Sequence, residues 1–115
     1  MKLSVIIPAR NEVENLPTCI EGIYKELSAE KIPHEILVID DGSIDDTFET
    51  VNELYKTFPT VRCIVNKAEN GFGRAIRLGL TEFTGDVVAI MMADQSDSPR
   101  DLIHYWKTIN EGAEC

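Results

Sequence analysis

Acidic and polar side chains follow three of the short apolar runs in this sequence, at the point where each run ends. They are Asn11 and Glu12 after the first run, Asp40 and Asp41 after the second, and Asp94 and Asp97 after the last. If the runs are parallel strands of one sheet, these groups meet at its carboxyl edge, where open α/β sheets bind ligands. Carboxylates gathered at one edge repel one another unless a cation or hydrogen-bond donors join them, so the three groups together favour a binding site. Each group taken alone is more simply a solvated turn, because Asp and Asn favour turns and caps on local grounds.

The stretch from Glu35 to Thr47 carries the clearest of these groups. Its aliphatic run, residues 36–39, is typical of a strand buried on both faces. Two carboxylates end the run, and Ser43 with Asp46 three residues later fits a helix-capping box. We therefore expect Asp40 and Asp41 to lie on a strand-to-helix turn, beside the N-terminus of a helix.

A glycine-bearing loop, Asn70–Arg74, invites comparison with a dinucleotide fingerprint. That fingerprint needs a third glycine where this chain has Ile76, and it directly follows the first strand of its unit, not the third. A nicotinamide or flavin site is therefore disfavoured. Two interpretations remain about equal: a backbone that comes close to a ligand, with Arg74 or Arg77 contacting a phosphate, or a plain loop with solvated arginines.

The histidines and cysteines indicate no chemistry of their own. His34 and His104 are isolated from any Ser or Cys at a spacing typical of a hydrolase triad. Cys19, Cys63 and Cys115 are odd in number and lack metal-ligand spacing, which favours reduced thiols.

Composition narrows the class of partner. The chain has 115 residues, the length of one domain, and a formal net charge of −9. This charge argues against nucleic acid or an anionic membrane surface as partner. It is compatible with a phosphorylated ligand if a divalent cation bridges the ligand to the acidic site. No apolar run approaches the length of a membrane span, and the first residues lack the basic and apolar regions of a signal peptide.

Hydrophobic periodicity alternates between short strands and helices along the chain. We expect strands at 3–7, 36–39, 61–65 and 87–91, with helices that begin near Asn15, after the acidic turn, near Arg74 and at Pro99. The apolar stripe of the second helix is Phe48, Val51, Leu54, Tyr55 and Phe58, and the inward residues of the third are Ile76, Leu80 and Phe83. Four β-α units with short connections predict an α/β fold, a Rossmann-like parallel sheet with helices on both faces, as a single domain over residues 1–115.

Four motifs occur in an order that resembles one known family. They are Ser4–Glu12 (SVIIPARNE), Val38–Ser43 (VIDDGS) with Asp45 and Thr47, Asn70-Gly71-x-Gly73, and Gly85-Asp86 leading into Ala93-Asp94 and Pro99. Together they cover nearly the whole chain and are much more specific than any one alone. The chain is similar to the family-2 glycosyltransferases, and most similar to the branch that contains dolichyl-phosphate mannose synthase and the polyprenyl-phosphate hexose synthases.

The resemblance implies the nucleotide-binding half of a GT-A fold, a UDP- or GDP-hexose donor, and Mg²⁺ or Mn²⁺ as divalent cation. It implies transfer of the hexose to an acceptor such as a polyprenyl phosphate or a saccharide. The implied location is cytoplasmic, and peripheral to the membrane in a full-length protein. Because family members are much longer, we expect this chain to be a truncated donor-binding half that carries no catalytic residue of its own.

The resemblance also implies which residues form the site. The nucleotide sugar is expected to contact Pro8, Arg10, Asn11, Glu12, Asp41, Gly71, Arg74 and Ala93. Asp94, at the last acidic position of the family's Asp-x-Asp motif, is expected to bind the metal, with Asp97 as a second ligand. Two positions depart from the family pattern: Arg10 stands where an aromatic residue is usual, and Met92 replaces the first acid of Asp-x-Asp. Because this carboxylate is missing, two alternatives stay open: a metal site that binds weakly, or no metal site at all.

Two other functions remain open at this point. A non-catalytic nucleotide-binding or interaction module would explain Met92 and the missing acceptor half. A receiver-like signalling domain also gathers carboxylates at strand ends, but the third strand here ends at Val65-Asn66, without the Asp that such domains phosphorylate.

The fourth strand predicts self-association. In a GT-A sheet the first strand lies centrally with the fourth beside it, so residues 87–91 form an unpaired edge in a chain of this length. The run is apolar and carries no charge, and such edges pair with other chains. We therefore expect a homo-oligomer that uses this edge.

Overall fold

The computed structural model describes residues 2–9, 14–40, 47–66, 72–91 and 99–110. Its elements alternate in the order β1 (Leu3–Ala9), α1 (Leu16–Ala29), β2 (His34–Asp40), α2 (Thr47–Thr57), β3 (Val61–Val65), α3 (Phe72–Glu82), β4 (Val87–Ile90) and α4 (Pro99–Asn110). All three strand pairings are parallel, and the strand order is β3-β2-β1-β4. The predicted α/β class and the place of the fourth strand beside the first are confirmed.

The two faces of the sheet are covered unequally. Alternate strand residues belong to opposite clusters, as the pleat requires: Val5 and Ile7 pack with α1, α2 and α4, whereas Ile6 packs with α3. The first cluster is the larger and includes Leu16 and Ile20 of α1. Every residue of β1 is buried, which explains why its sequence is apolar without alternation. Helices therefore cover both faces, as predicted.

The boundaries of three strands and one helix differ from the sequence prediction. β2 spans His34–Asp40 instead of residues 36–39, so Asp40, which was expected on the following turn, is its last residue, and β4 ends at Ile90. β1 does not end at Ile7 but continues through Pro8, which pairs with Ile39, to Ala9. Proline fits an extended strand because its fixed φ is compatible with that conformation, and only one ladder donor is lost. α3 begins at Phe72, two residues earlier than expected, so Gly73 lies inside a helix.

The sheet-facing side of α3 is made of small residues. Ala75 and Gly79 are buried, whereas Leu80, which was predicted to face inward, is 47% exposed. A Cβ added at Gly79 would lie 2.8 Å from Cγ2 of Ile6. The prediction for Leu80 was wrong because it was based on the spacing of large apolar residues. A helix that packs close to a sheet needs small residues at the contact instead. On α2, Val51 is fully buried but Phe48 and Tyr55, which belong to the predicted stripe, are exposed.

A buried carboxylate lies at the opposite end of the sheet from the strand C-termini. Glu35 is 6% exposed, and its Oε2 accepts hydrogen bonds from the Ser4 hydroxyl (2.6 Å) and the Thr84 N–H (2.6 Å). Arg62 approaches Oε1 at 3.4 Å. Burial raises the pKa of Glu35, but the hydrogen bonds from Ser4 and Thr84 and the charge of Lys2 outweigh it and hold the pKa below its ordinary value of 4.5.

The two glycines of α3 make a matched pair for measuring helix–sheet packing. We expect Gly79→Ala to destabilise the protein, since overpacking a buried site costs about 1–3 kcal/mol. We expect Gly73→Ala to stabilise it by up to about 1 kcal/mol, because a Cβ there meets nothing within 4 Å and alanine favours a helix. Urea unfolding of the two variants measures both effects. Equal effects of the two substitutions would contradict the close approach of α3 to β1.

The lowered pKa of Glu35 predicts a specific acid dependence of stability. A carboxyl whose pKa is lower in the folded than in the unfolded state stabilises the fold above its unfolded pKa, and this contribution is lost as pH falls through the folded pKa. We therefore expect the free energy of unfolding of the wild type to exceed that of Glu35→Gln near neutral pH, and the gap to narrow below about pH 4.5. Urea titrations of both proteins between about pH 3 and pH 7 measure the gap, with the other carboxyl groups common to both. A gap that stays constant over this range would show that the charge of Glu35 contributes nothing.

Candidate functional site

The carboxyl ends of the four parallel strands lie at one edge of the sheet, which we call the carboxyl edge. Ala9 of β1 pairs with Asp40 of β2, and Asp40 pairs with Val65 of β3. On the other side of β1, the N–H of Met91 donates to the carbonyl of Ile6 at 3.0 Å. Each predicted binding segment therefore follows, in the sequence, a described residue at this edge.

Two of the predicted site residues lie in the described part of the chain. Pro8 is buried in β1, and Arg74 is exposed in the first turn of α3. The other predicted site residues lie outside the described residues: Arg10, Asn11, Glu12, Asp41, Gly71, Ala93, Asp94 and Asp97. Their assignments therefore stay predictions.

Pro8 and Arg74 belong to the same face and the same end of the sheet. Pro8 alternates with Ala9 and therefore shares the face of Ile6, which α3 covers. α3 runs antiparallel to the strands because it connects the end of β3 to the start of β4, and Gly79 lies over Ile6. From this contact, Arg74 lies about 7.5 Å along the helix and Pro8 about 6.6 Å along the strand, both toward the carboxyl edge.

Two buried polar residues of the carboxyl edge were not included among the predicted contacts. Asp40 is 6% exposed and Asn66 is 8% exposed. The N–H of Asn66 donates to the carbonyl of Asp40 at 2.8 Å, which joins the ends of β2 and β3 beyond the last residue of β3. Each follows an apolar run directly, so the sequence signal was present, but it does not distinguish a buried polar residue from a solvated turn.

Two side chains with nucleophile or base chemistry, Cys63 and His34, are held in structural roles. Burial and the negative charge of Asp40 raise the pKa of the Cys63 thiol to about 12, so it stays protonated and is a poor nucleophile. His34 lies at the start of β2, away from the carboxyl edge. Its Nδ1 is 2.9 Å from the carbonyl of Ile32, and its Nε2 is 2.9 Å from Oγ1 of Thr60.

Neither a cluster of metal ligands nor a membrane span occurs among the described residues. Between residues 2 and 110, leaving out the stretches that the structure does not describe, no three His, Cys, Asp or Glu side chains come together in a way that could hold a metal ion. Within those residues no helix has the length and apolar character that crossing a membrane requires.

Comparison with known proteins identifies relatives of the whole chain. The family model described as "Glycosyl transferase family 2" matches residues 4–115. A dolichol-phosphate mannosyltransferase of Pyrococcus furiosus is 37% identical over 114 residues, which are 99% of this chain and 32% of the relative. An undecaprenyl-phosphate 4-deoxy-4-formamido-L-arabinose transferase of Proteus mirabilis is 30% identical over 112 residues, which are 96% of this chain and 34% of the relative. The chain thus spans about a third of the length of these curated relatives.

One solved structure carries a bound donor. The mannosyltransferase PcManGT from Pyrobaculum calidifontis, in complex with GDP-Man and Mn²⁺, superposes with a TM-score of 0.71 at 27% sequence identity. The match covers 80% of this chain and 27% of PcManGT. The sheet and helices described above therefore have the fold of the GT-A glycosyltransferases.

Proposed function

This chain belongs to glycosyl transferase family 2, and we propose from that premise that its carboxyl edge binds a nucleoside-diphosphate hexose for transfer to an acceptor. The single observation that carries the proposal is the convergence of the strand ends. Every segment with a predicted donor contact follows a strand end or begins a helix at this one edge. Family membership also argues against the receiver-type interpretation.

The face of the sheet supports a location for the nucleotide. Asp40 alternates with Ile39 and shares the face of Val38, which α1, α2 and α4 cover. Pro8 and Arg74 belong to the opposite face, which α3 covers, so a nucleotide bound on that face would contact both residues. Arg74, in the first turn of α3, is suited to a phosphate, because a guanidinium and a helix N-terminus both favour an anion.

The remaining predicted contacts complete the proposal. Pro8, Arg10, Asn11 and Glu12 would line the nucleoside pocket, Asp41 would bind the base or ribose, and Gly71 and Ala93 would let the backbone approach the diphosphate. Asp94 and Asp97 would hold Mg²⁺ or Mn²⁺, since carboxylate oxygens suit these hard cations. When bound, the cation neutralises the charge that develops on the leaving diphosphate.

The acceptor is proposed from chemistry and from the names of the relatives. A polyprenyl phosphate carries an oxygen that is already nucleophilic, so it needs no general base from this part of the chain. The two relatives described above are named for dolichol phosphate and undecaprenyl phosphate. We propose a polyprenyl phosphate or a saccharide as acceptor, and a cytoplasmic site peripheral to the membrane in a longer protein.

One observation favours a second candidate. Met92 stands at the first acidic position of the family's Asp-x-Asp motif, so one of its carboxylates is absent. A domain that binds the nucleotide without metal and without turnover would tolerate this change. Metal dependence of binding separates the two candidates.

Donor binding by the 115-residue chain tests the proposal directly. We expect calorimetry with GDP-mannose and with UDP-glucose to show binding of one donor that is strengthened by Mn²⁺. Asp94→Ala should weaken Mn²⁺-dependent binding by about tenfold or more, because it removes a ligand of the bridging cation. Glu53→Ala is the matched control, since it removes an equal charge from an exposed position on α2 whose carboxylate pairs with Lys56.

The outcomes of this titration are distinct. Binding that is equal with and without Mn²⁺, and unchanged by Asp94→Ala, supports the metal-free module. No binding of either donor contradicts the proposed donor site.

Self-association through β4 is also part of the proposal. β4 is the outermost strand beside β1, and the N–H groups of Val87 and Met91 donate toward β1. The backbone groups of Val88 and Ile90 therefore point to the outer side, where a second copy could pair with them. Ile90 is 44% exposed and adds apolar area to this edge.

A charge placed on this edge should prevent the association. We expect Ile90→Lys to shift the chain toward monomer in light scattering over a concentration series, because a lysine opposes edge-to-edge pairing. Tyr55→Lys is the control, since Tyr55 is 55% exposed on α2, away from the edge. A wild type that stays monomeric at high concentration rules out the edge as an interface.

A further inference from the structure

The Gly85-Asp86 motif lies at the opposite end of the sheet from the carboxyl edge, so the donor site does not account for it. It forms the connection between α3 and β4. The N–H of Gly85 donates to the Ser4 hydroxyl at 2.9 Å, and the Oδ2 of Asp86 accepts from the N–H of Lys2 at 2.8 Å. The N–H groups of Asp86 and Val87 both donate to the carbonyl of Lys2, at 2.7 and 3.1 Å.

A buried carboxylate joins this connection to the two central strands. Oε2 of Glu35 on β2 accepts from the Ser4 hydroxyl on β1 and from both the N–H and the hydroxyl of Thr84, the latter at 3.0 Å. Arg62 of β3 contacts Glu35 and also donates to the carbonyl of Glu82, at the end of α3, at 2.7 Å. We call Ser4, Glu35, Thr84 and Gly85 the β4 anchor.

The anchor leaves no freedom at Gly85. A Cβ there would lie 2.5 Å from Oγ of Ser4, 2.8 Å from the carbonyl oxygen of Lys2 and 3.0 Å from the nitrogen of Ser4. Two of these atoms are backbone, so they cannot move aside as a flexible side chain could. The connection therefore packs against β1 too closely for a residue with a side chain at position 85.

The residue pattern of β4 does not specify its register against β1. Residues 87–92 are all apolar, so a shift of one residue would place apolar side chains on both faces again. Register is weakly specified by pattern when both faces accept the same kind of residue. Only four residues of β4 pair with β1, from Val87 opposite Leu3 to Ile90 opposite Ile6.

We propose that the β4 anchor sets the register of β4 against β1 and thereby fixes the position of Met91, after which the sequence carries the predicted diphosphate and metal contacts. Glu35 acts in this scheme as a positioning residue, through Ser4 and Thr84. The functional half of this inference rests on the proposed donor site.

The size of a register error explains why an anchor is needed. A slip of one residue moves the strand by about 3.3 Å and turns each side chain to the other face. Misplacement of binding groups by about 1 Å is already costly. Met91, whose N–H donates to the carbonyl of Ile6, is the last described residue of this stretch. A slip of β4 would therefore shift the point from which the chain continues.

Nuclear magnetic resonance of the full chain tests the register. Ser4→Ala removes the hydroxyl that joins Glu35 to Gly85, and Glu35→Ala removes the carboxylate; Glu35→Gln keeps one acceptor oxygen. In the two alanine variants we expect amide exchange at Val87 and Met91 to rise about tenfold or more relative to that at Ile36, whose N–H bonds to Thr60 outside β4. Cross-strand contacts between the paired residues Val5 and Ala89 should weaken in parallel.

The controls separate register from general stability. Val51→Ala leaves a cavity in the core beneath α2. It should raise the amide exchange rates of Val87 and Ile36 by similar factors. Glu35→Gln should restore part of the protection at Val87. If Ser4→Ala and Val51→Ala give the same pattern of exchange, the anchor has no specific role in register and the inference is overturned.

Donor affinity of the same variants tests the positioning role. We expect Ser4→Ala to weaken donor binding by about tenfold. Val51→Ala, compared at the same free energy of unfolding as Ser4→Ala, should keep wild-type affinity. If the wild type binds no donor, the proposed function fails, while the exchange data still decide whether the anchor sets the register. If β4 loosens and donor affinity stays unchanged, the positioning role is overturned and the proposed function stands.

Discussion

The parallel pairing of β1 with β2 is the constraint on which the rest of the structure depends. Seven consecutive residues of each strand are in register, from Leu3 opposite His34 to Ala9 opposite Asp40. Both strands are buried on both faces, so their backbone groups have no water to bond and must bond to neighbouring strands. The helix that connects each strand to the next returns the chain to the same end of the sheet, so the strands run parallel and every β-α segment begins at one edge.

The two faces of this sheet are covered unequally. Three helices pack on one face, where the large cluster around Val5, Ile7 and Val38 lies. The other face is covered by α3, which comes close because Ala75 and Gly79 present little bulk. This close approach brings the N-terminal turn of α3 to the same side of the carboxyl edge as Pro8. A bulky residue at Gly79 would therefore affect the predicted donor site as well as the core.

Much of the fold could be predicted from the sequence, because strong periodicity reflects burial. The bounds of β3 were predicted correctly, and Val51 of the predicted stripe on α2 is fully buried. Leu80 shows where periodicity fails, since a helix can contact a sheet through small residues that carry no hydrophobic signal. The Ser4–Glu35–Thr84 contacts could not be predicted, because their members lie 31 and 49 residues apart and meet only when the sheet forms. For the site, the sequence supplied the residue types, and the structure supplies the common edge for the segments that bear them.

Carboxylates have different sources of bonding partners at the two ends of the sheet. At the end that holds Glu35, donors from Ser4, Thr84 and Arg62 satisfy the carboxylate within the chain. At the carboxyl edge, the sequence places Glu12, Asp41 and Asp94 after strand ends, and carboxylates brought close together there would need a cation or donors from outside. A rigid end that is internally satisfied can hold the strands in place while the other end exchanges ligands. Under the proposed function, the stability of one end is the physical condition for donor binding at the other.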